Sequence, residues 1–264
     1  MMADTEETTS TSTKSVCDKL FRFTFLVGTV ITGGAGDSHL IDYANQELCK
    51  FFQRGGGQKP DRKATPEELL DALNTFARKF FRETIAPYRG FDAHLVPSFE
   101  MLIALNYEKR TYLFHWVENR IVHVPHATSI GTGMIQLHPM LSDFNFQATK
   151  ETTLFTGLRM MFHAKREVQG VGGRTEAIAL ENGGATHFFG TNTTQQVEHL
   201  VINFEQFLDK FVYTMVSNIS TAVVELEENV KKSLKNIPKV LRQYRQQYRK
   251  LMQPSNPETS EHQL

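Results

Sequence analysis

Residues 19–37 read KLFRFTFLVGTVITGGAGD. Leu20 to Gly33 is rich in aromatic and β-branched side chains, which suit a pleated, half-buried surface. A turn near Gly28 divides the run into two short strands. Gly33-Gly34-Ala35-Gly36 ends the strand pattern, and Asp37-Ser38 supplies a helix N-cap. Leu40, Ala44, Leu48 and Phe51 then recur at helical spacing, so a helix is expected from Leu40 to Phe52. The rest of the chain is read outward from this succession of strand, strand, glycine turn and helix.

On the C-terminal side, residues 53–64 form a polar Gly/Pro loop. Thr65-Pro66-Glu67-Glu68 is a capping box with proline at the first helical position. Leu69, Leu70, Leu73, Phe76, Ala77, Phe80 and Phe81 extend an amphipathic helix to about Ala86. Strands are predicted over Met101–Glu108, Thr111–Val117 and Arg120–His123, with turns at Lys109-Arg110 and Glu118-Asn119. Ala127–Gly133 (ATSIGTG) reads as another short strand. Helices over 134–142 and 150–167 precede strands over 175–181 and 185–189, which Asn182-Gly183-Gly184 joins. A long helical region over 193–251 follows, with a break before Pro238. Strands, then helices, then strands indicate layered α+β rather than regular βαβ alternation. Residues 1–16 have no hydrophobic pattern and are expected to be a disordered tail, as are residues 252–264. The main domain is expected over 17–192, with a helical extension over 193–251.

The chain has 264 residues, with 29 basic against 29 acidic side chains, so the whole carries no electrostatic bias toward nucleic acid or membrane. Cys17 and Cys49 form no C-x-x-C pair, which argues against a zinc ribbon or a disulfide framework. The Thr/Ser/Glu-rich stretch from Met1 to Lys14 lacks the apolar core of a secretory signal, and no apolar run approaches the length of a membrane span. A cytoplasmic location is therefore expected, where the sequons at Asn192 and Asn218 carry no meaning. Gly36-Asp37-Ser38-His39-Leu40 approaches a Gly-Asp-Ser-Leu hydrolase motif, but His39 interrupts it and no D-x-x-H follows. Gly170 to Thr175 lacks the lysine of a phosphate loop. His115, His123 and His126 have no accompanying carboxylate pattern, so neither a metal nor a cofactor is expected.

The block from Lys19 to Asp37 resembles a stretch of proteasome-type N-terminal-nucleophile hydrolases, the 20S β-subunit-like and HslV-like family. There a K-[LI]-[FH]-x strand leads through a second strand to A-G-x-x-[GA]-D and a long helix. Ser129-Ile130-Gly131-Thr132-Gly133 is similar to a glycine–serine turn of the family. Ala164-Lys165-Arg166-Glu167, Gly172-Gly173 and Glu176 to Leu180 resemble a later segment. The resemblance covers about residues 18–190. It implies a four-layer αββα sandwich, assembly into homo- or hetero-oligomers, and cleavage of a peptide substrate by an N-terminal threonine whose α-amine acts as base. By the same resemblance Lys19 is the active-site lysine and Gly33 the oxyanion glycine. Thr132 stands in place of a serine, and Glu167 in place of an aspartate.

In the family the nucleophile precedes the lysine by roughly thirty residues, with an Asp between them that orients it. Only 18 residues precede Lys19 here, and Thr5, Thr8, Thr9, Thr11 and Thr13 all lie too close. The nucleophile, the first strand pair and the orienting Asp are thus expected to be missing, leaving a sheet edge unpaired. The expected function is a truncated threonine-type peptidase or, alternatively, a non-catalytic scaffold on the same fold.

The C-terminal region has two characters. Val197, Leu200, Val201, Phe204, Phe207, Leu208, Phe211, Val212, Met215 and Ile219 recur at three- and four-residue spacing, an amphipathic helix. Residues 231–250 carry Lys231, Lys232, Lys235, Lys239, Arg242, Arg245, Arg249 and Lys250 with no acid, and with Tyr244 and Tyr248 interleaved. That composition suits an acidic or nucleic-acid partner, or a solvated basic face.

Overall fold

A computed structural model of the chain describes residues 1–4, 6–8, 14–16, 19–56, 64–90, 98–142, 149–168, 171–217 and 223–252. The chain divides into two compact units, Met1–Gly190 and Thr191–Leu264.

The first unit is mixed α+β. Five antiparallel strands form its main sheet in simple chain order: β4 (Leu20–Phe25), β5 (Gly28–Gly36), β6 (Phe99–Tyr107), β7 (Arg110–Val117) and β8 (Arg120–His123). The turns fall at or within a residue of the expected positions: the one expected at Lys109-Arg110 forms at Glu108-Lys109, and Arg110 opens β7. Glu108 and Lys109 take positive φ of 50° and 68°, the conformation a two-residue hairpin loop demands. Strand alternation sorts the side chains. Phe99, Met101, Ile103 and Leu105 are buried on one face of β6, while Glu100, Leu102 and Ala104 between them are half-buried.

Two helices cover the buried face. α1 (Ser38–Gln53) packs on β4, β5 and β6; α2 (Pro66–Phe80) packs on β8. Both N-termini follow the sequence. Asp37 caps α1 by accepting from the Leu40 N–H at 2.9 Å, and Thr65 and Glu68 form the reciprocal capping box of α2. Between sheet and helices lies an aromatic cluster. Trp116, the one tryptophan, meets Phe99, Phe80 and Phe76 edge-on, with ring centroids at 4.8, 5.1 and 5.5 Å. Asn74 of α2 seals the β8 edge: its amide donates to the Ile121 carbonyl and accepts from the Ile121 N–H. The α2 pattern, expected to continue to about Ala86, ends at Phe80. A π-helical turn (Phe81–Ile85) and a 3₁₀ turn (Ala86–Gly90) take over.

The second sheet has the order β1 (Met2–Asp4), β9 (Thr175–Leu180), β10 (Thr186–Phe189). β1 lies in the segment read as a disordered tail. It pairs antiparallel with β9, Met2 opposite Ala177 and Asp4 opposite Thr175. Strands β2 (Glu6–Thr8) and β3 (Lys14–Val16) pair with each other. Segments this short carry no periodicity, and tertiary pairing creates them. β9 therefore has a partner on each side. Asn106 of β6 ties the two sheets together by donating to the carbonyls of Glu181 and Asn182 in the β9–β10 turn, at 3.1 and 3.0 Å. α3 (Met134–Ser142) packs against α4 (Lys150–Glu167), which in turn lies on β1 and β9. The expected strand over Ala127–Gly133 is absent: Ala127–Ile130 have no regular structure, and Gly131–Gly133 form a bend and turn, with Gly131 at φ 79°.

The second unit holds two helices that pack on each other, α5 (Thr191–Ser217) and α6 (Val223–Met252). Helix α6 continues through Pro238, where a break was expected. Residues 252–264 apart from Met252 lie outside the described residues, as does Ile219. No helix among the described residues is long and apolar enough to cross a membrane.

Truncating Trp116 to alanine is expected to lower unfolding free energy by about 3–5 kcal/mol, since the site is closed on every side. Urea unfolding followed by circular dichroism measures this. A loss below about 1 kcal/mol would contradict the packing.

Candidate active site

The site residues converge where β4 begins. The β4–β5 pairing ends at Leu20 opposite Gly33, so past that point this flank of β5 has no β4 partner. Lys19 stands at the edge so opened. Its ammonium donates to Asp4 Oδ1 at 2.8 Å, and the Gly172 N–H donates to Asp4 Oδ2 at 3.0 Å. Both side chains of the ion pair are largely shielded, 24% and 14% exposed. With both carboxylate oxygens engaged, Asp4 fixes the lysine head group in direction as well as in charge.

Asp4 was not among the residues singled out from the sequence. It lies in a polar segment without pattern, so nothing local marks it. The usable signal was the resemblance itself, which demands an orienting acid ahead of the lysine. The structure places Asp4 in contact with Lys19.

Gly33 lies beneath the first residue. A Cβ at Gly33 would stand 3.0 Å from Leu20 Cδ2, 3.1 Å from Met1 Sδ and 3.7 Å from the Lys19 carbonyl oxygen. Met1 extends the β1–β9 ladder by one residue. Its α-amine donates to the Ile178 carbonyl at 2.7 Å, and its carbonyl accepts from the Ile178 N–H at 2.8 Å. Burial lowers the pKa of this amine from 8.0 to about 6, which leaves it mostly neutral at pH 7. A neutral amine can accept a proton. The residue that bears it here ends in a thioether, which cannot attack a carbonyl as a hydroxyl or thiolate does.

The other two expected residues stand apart from this contact. Thr132 is exposed, on the turn whose Gly131 packs against Ala35, two residues beyond Gly33. Glu167 ends α4. Its carboxylate accepts from Arg166 at 3.0 Å and lies 3.9 Å from the His163 ring. Ser38 is the first residue of α1, and Asp37 rather than Ser38 makes the cap. His115 lies 3.9 Å from Glu100, its pKa lowered by burial against the opposing pull of that carboxylate. His123 packs edge-on against Phe114 and Tyr112. Among the described residues no group of three His, Cys, Asp or Glu side chains could hold a metal ion.

No family model matches the chain, and no curated protein matches its sequence. Solved structures do match its fold. Anbu (ancestral beta-subunit) from Yersinia bercovieri aligns with a TM-score of 0.58 and 11% identity, over 80% of this chain and 91% of that one. An Anbu complex from Pseudomonas aeruginosa, solved as a helical assembly, aligns with a TM-score of 0.58 and 13% identity over 80% and 90%. Anbu from Hyphomicrobium sp. strain MC1 aligns with a TM-score of 0.53 and 14% identity over 80% and 91%. The fold is thus Anbu-like. This corrects the resemblance to 20S β-subunit-like and HslV-like proteins. The motif at Lys19–Asp37 encodes a strand–turn–helix geometry, which a chain can share without belonging to either group.

The Met1 amine generates a pH prediction for the 1–264 chain. Its folded value of about 6 lies below the ordinary 8.0, so between those values the unfolded chain binds the extra proton. Stability should rise between pH 6 and pH 8 and level off above, by on the order of 2–3 kcal/mol. Comparing urea midpoints of the free-amine and Nα-acetylated chains isolates the effect. Parallel pH profiles for the two would refute it.

Proposed function

We propose that Lys19, Asp4 and Gly33 are the lysine, orienting acid and oxyanion glycine of a threonine-type N-terminal-nucleophile peptidase, built on a four-layer αββα sandwich. The observation that carries this is the Lys19–Asp4 ion pair beside Gly33, with the second Asp4 oxygen held by a backbone N–H. A cation so fixed favours the neutral state of a nearby amine and stabilises the charge that develops during acyl transfer. Thr132, on the turn against Ala35, and Glu167, at the end of the helix leading toward Gly172, complete the set as outer groups. The nucleophile of such a site is an N-terminal threonine hydroxyl, which the Met1 thioether does not supply. The substrate is a peptide amide, and the subunit assembles with like subunits, as the Pseudomonas Anbu complex does in its helical assembly.

A second reading has its own observation. The Met1 thioether occupies the space over Gly33, which suits a non-catalytic scaffold.

The two readings separate with an electrophilic peptidyl probe. Residues 1–264 alone should remain unlabelled. A chain extended through its natural upstream reading frame should be labelled at its processed first residue, and Lys19→Ala or Asp4→Asn should slow labelling by about 100-fold or more. An extended chain that assembles but stays unlabelled, or an in-frame stop directly upstream of Met1, would leave the scaffold reading in possession.

A further inference from the structure

We propose that the exposed face of α6 binds the phosphate backbone of nucleic acid without regard to base sequence. This is independent of the peptidase reading and lies in the other compact unit. From Lys231 to Lys250 the helix carries eight cations and no carboxylate. Six of these side chains are described, Lys235, Lys239, Arg242, Arg245, Arg249 and Lys250, and all six are exposed. At 3.6 residues per turn they fall within an arc of about 140°. Ile237, Val240, Tyr244, Tyr248 and Leu251 are half-buried and fall on the opposite arc. Tyr244 packs edge-on against Phe204 of α5 at 5.2 Å. The apolar side of α6 therefore has its partner within the helix pair, and the cationic side is left to solvent.

The kind of partner follows from charge and spacing. The whole chain is neutral, so the eight cations of residues 231–250 leave an excess of eight acids in the rest of the chain. The signs are segregated rather than mixed. From Lys235 to Lys250 the stripe advances about 22 Å at 1.5 Å per residue. A duplex presents about one negative charge per 1.7 Å, or about 13 over that length. Within the arc the one apolar side chain described is Pro238, and Leu241 lies just beyond its edge. A protein partner would need a larger apolar centre, because protein interfaces bury an apolar core and are depleted in lysine. Three of the six cations are arginines, whose planar fork matches phosphate oxygens. The two tyrosines that could stack on bases sit on the packed side, so base identity should not be read.

Fluorescence anisotropy of the full 1–264 chain with labelled duplexes of about 20 base pairs, DNA and RNA in two unrelated sequences each, tests this. Binding is expected at about 50 mM salt, nearly equal for both sequences, and weaker by about 1,000-fold at about 200 mM. The variant Lys239→Gln/Arg242→Gln/Arg245→Gln/Arg249→Gln, with helix content confirmed by circular dichroism, should flatten the log–log salt slope by on the order of 3–4. No binding at the lower salt, an unchanged slope in the variant, or equal affinity for polyglutamate would overturn the proposal. The last result would assign the stripe to an acidic protein.

Discussion

Along the end of β5 three glycines bring three different neighbours close, tightest at Gly34 and Gly36. A Cβ at Gly34 would overlap Ile41 of α1, and one at Gly33 would crowd Met1 and Leu20. Gly36 sits at φ 112°, against the Ser98 carbonyl, while the Asp37 N–H donates to that same oxygen at 2.9 Å. The docking of α1, the entry into β6 and the approach of the first residue all depend on this bare length of backbone. Helix packing above and site geometry below are thus coupled through one strand, and a methyl group at any of these three positions would have to displace something.

From that strand the two sides of the main sheet diverge in character. The helix side is closed by aromatic rings around Trp116, which hold one another by area and edge-on geometry. The side of Leu102, Ala104 and Asn106 is joined to the second sheet in part by directed bonds, Asn106 to the β9–β10 turn foremost. A site that needs a fixed cation beside a bare backbone belongs on the side where polar groups already have defined partners. Lys19 and Asp4 meet there because β4 begins, and β1 ends, at the same place.

Much of this was legible in the chain itself. The hairpin around Gly28, the helix behind Asp37, the capping box at Thr65 and the turns at 118–119 and 182–184 all rest on local chemistry: periodicity, cap residues and hairpin turns, and the turn read at 109–110 lies one residue earlier. Lys19 and Gly33 belong to one contiguous motif that folds as a single hairpin. Ala127–Gly133 misled because its β-branched residues mimic a strand although no partner strand is offered to them. Pro238 misled because a missing N–H weakens a helix without ending one whose apolar seam on a neighbour continues on both sides.

The sequence by itself therefore determined the α+β class, the β4–β5 and β6–β7–β8 hairpins with the two helices between them, and the basic stripe of the last helix. Each of these is written within a few turns or one hairpin of chain. Tertiary structure alone decided that Met2–Asp4 is a strand, that β9 has partners on both sides, and that Asp4 holds Lys19 while Glu167 turns to Arg166. Three residues carry no period, and a carboxylate's partner depends on which distant backbone brings a cation within 3 Å. Such pairings exist only once the sheets have closed.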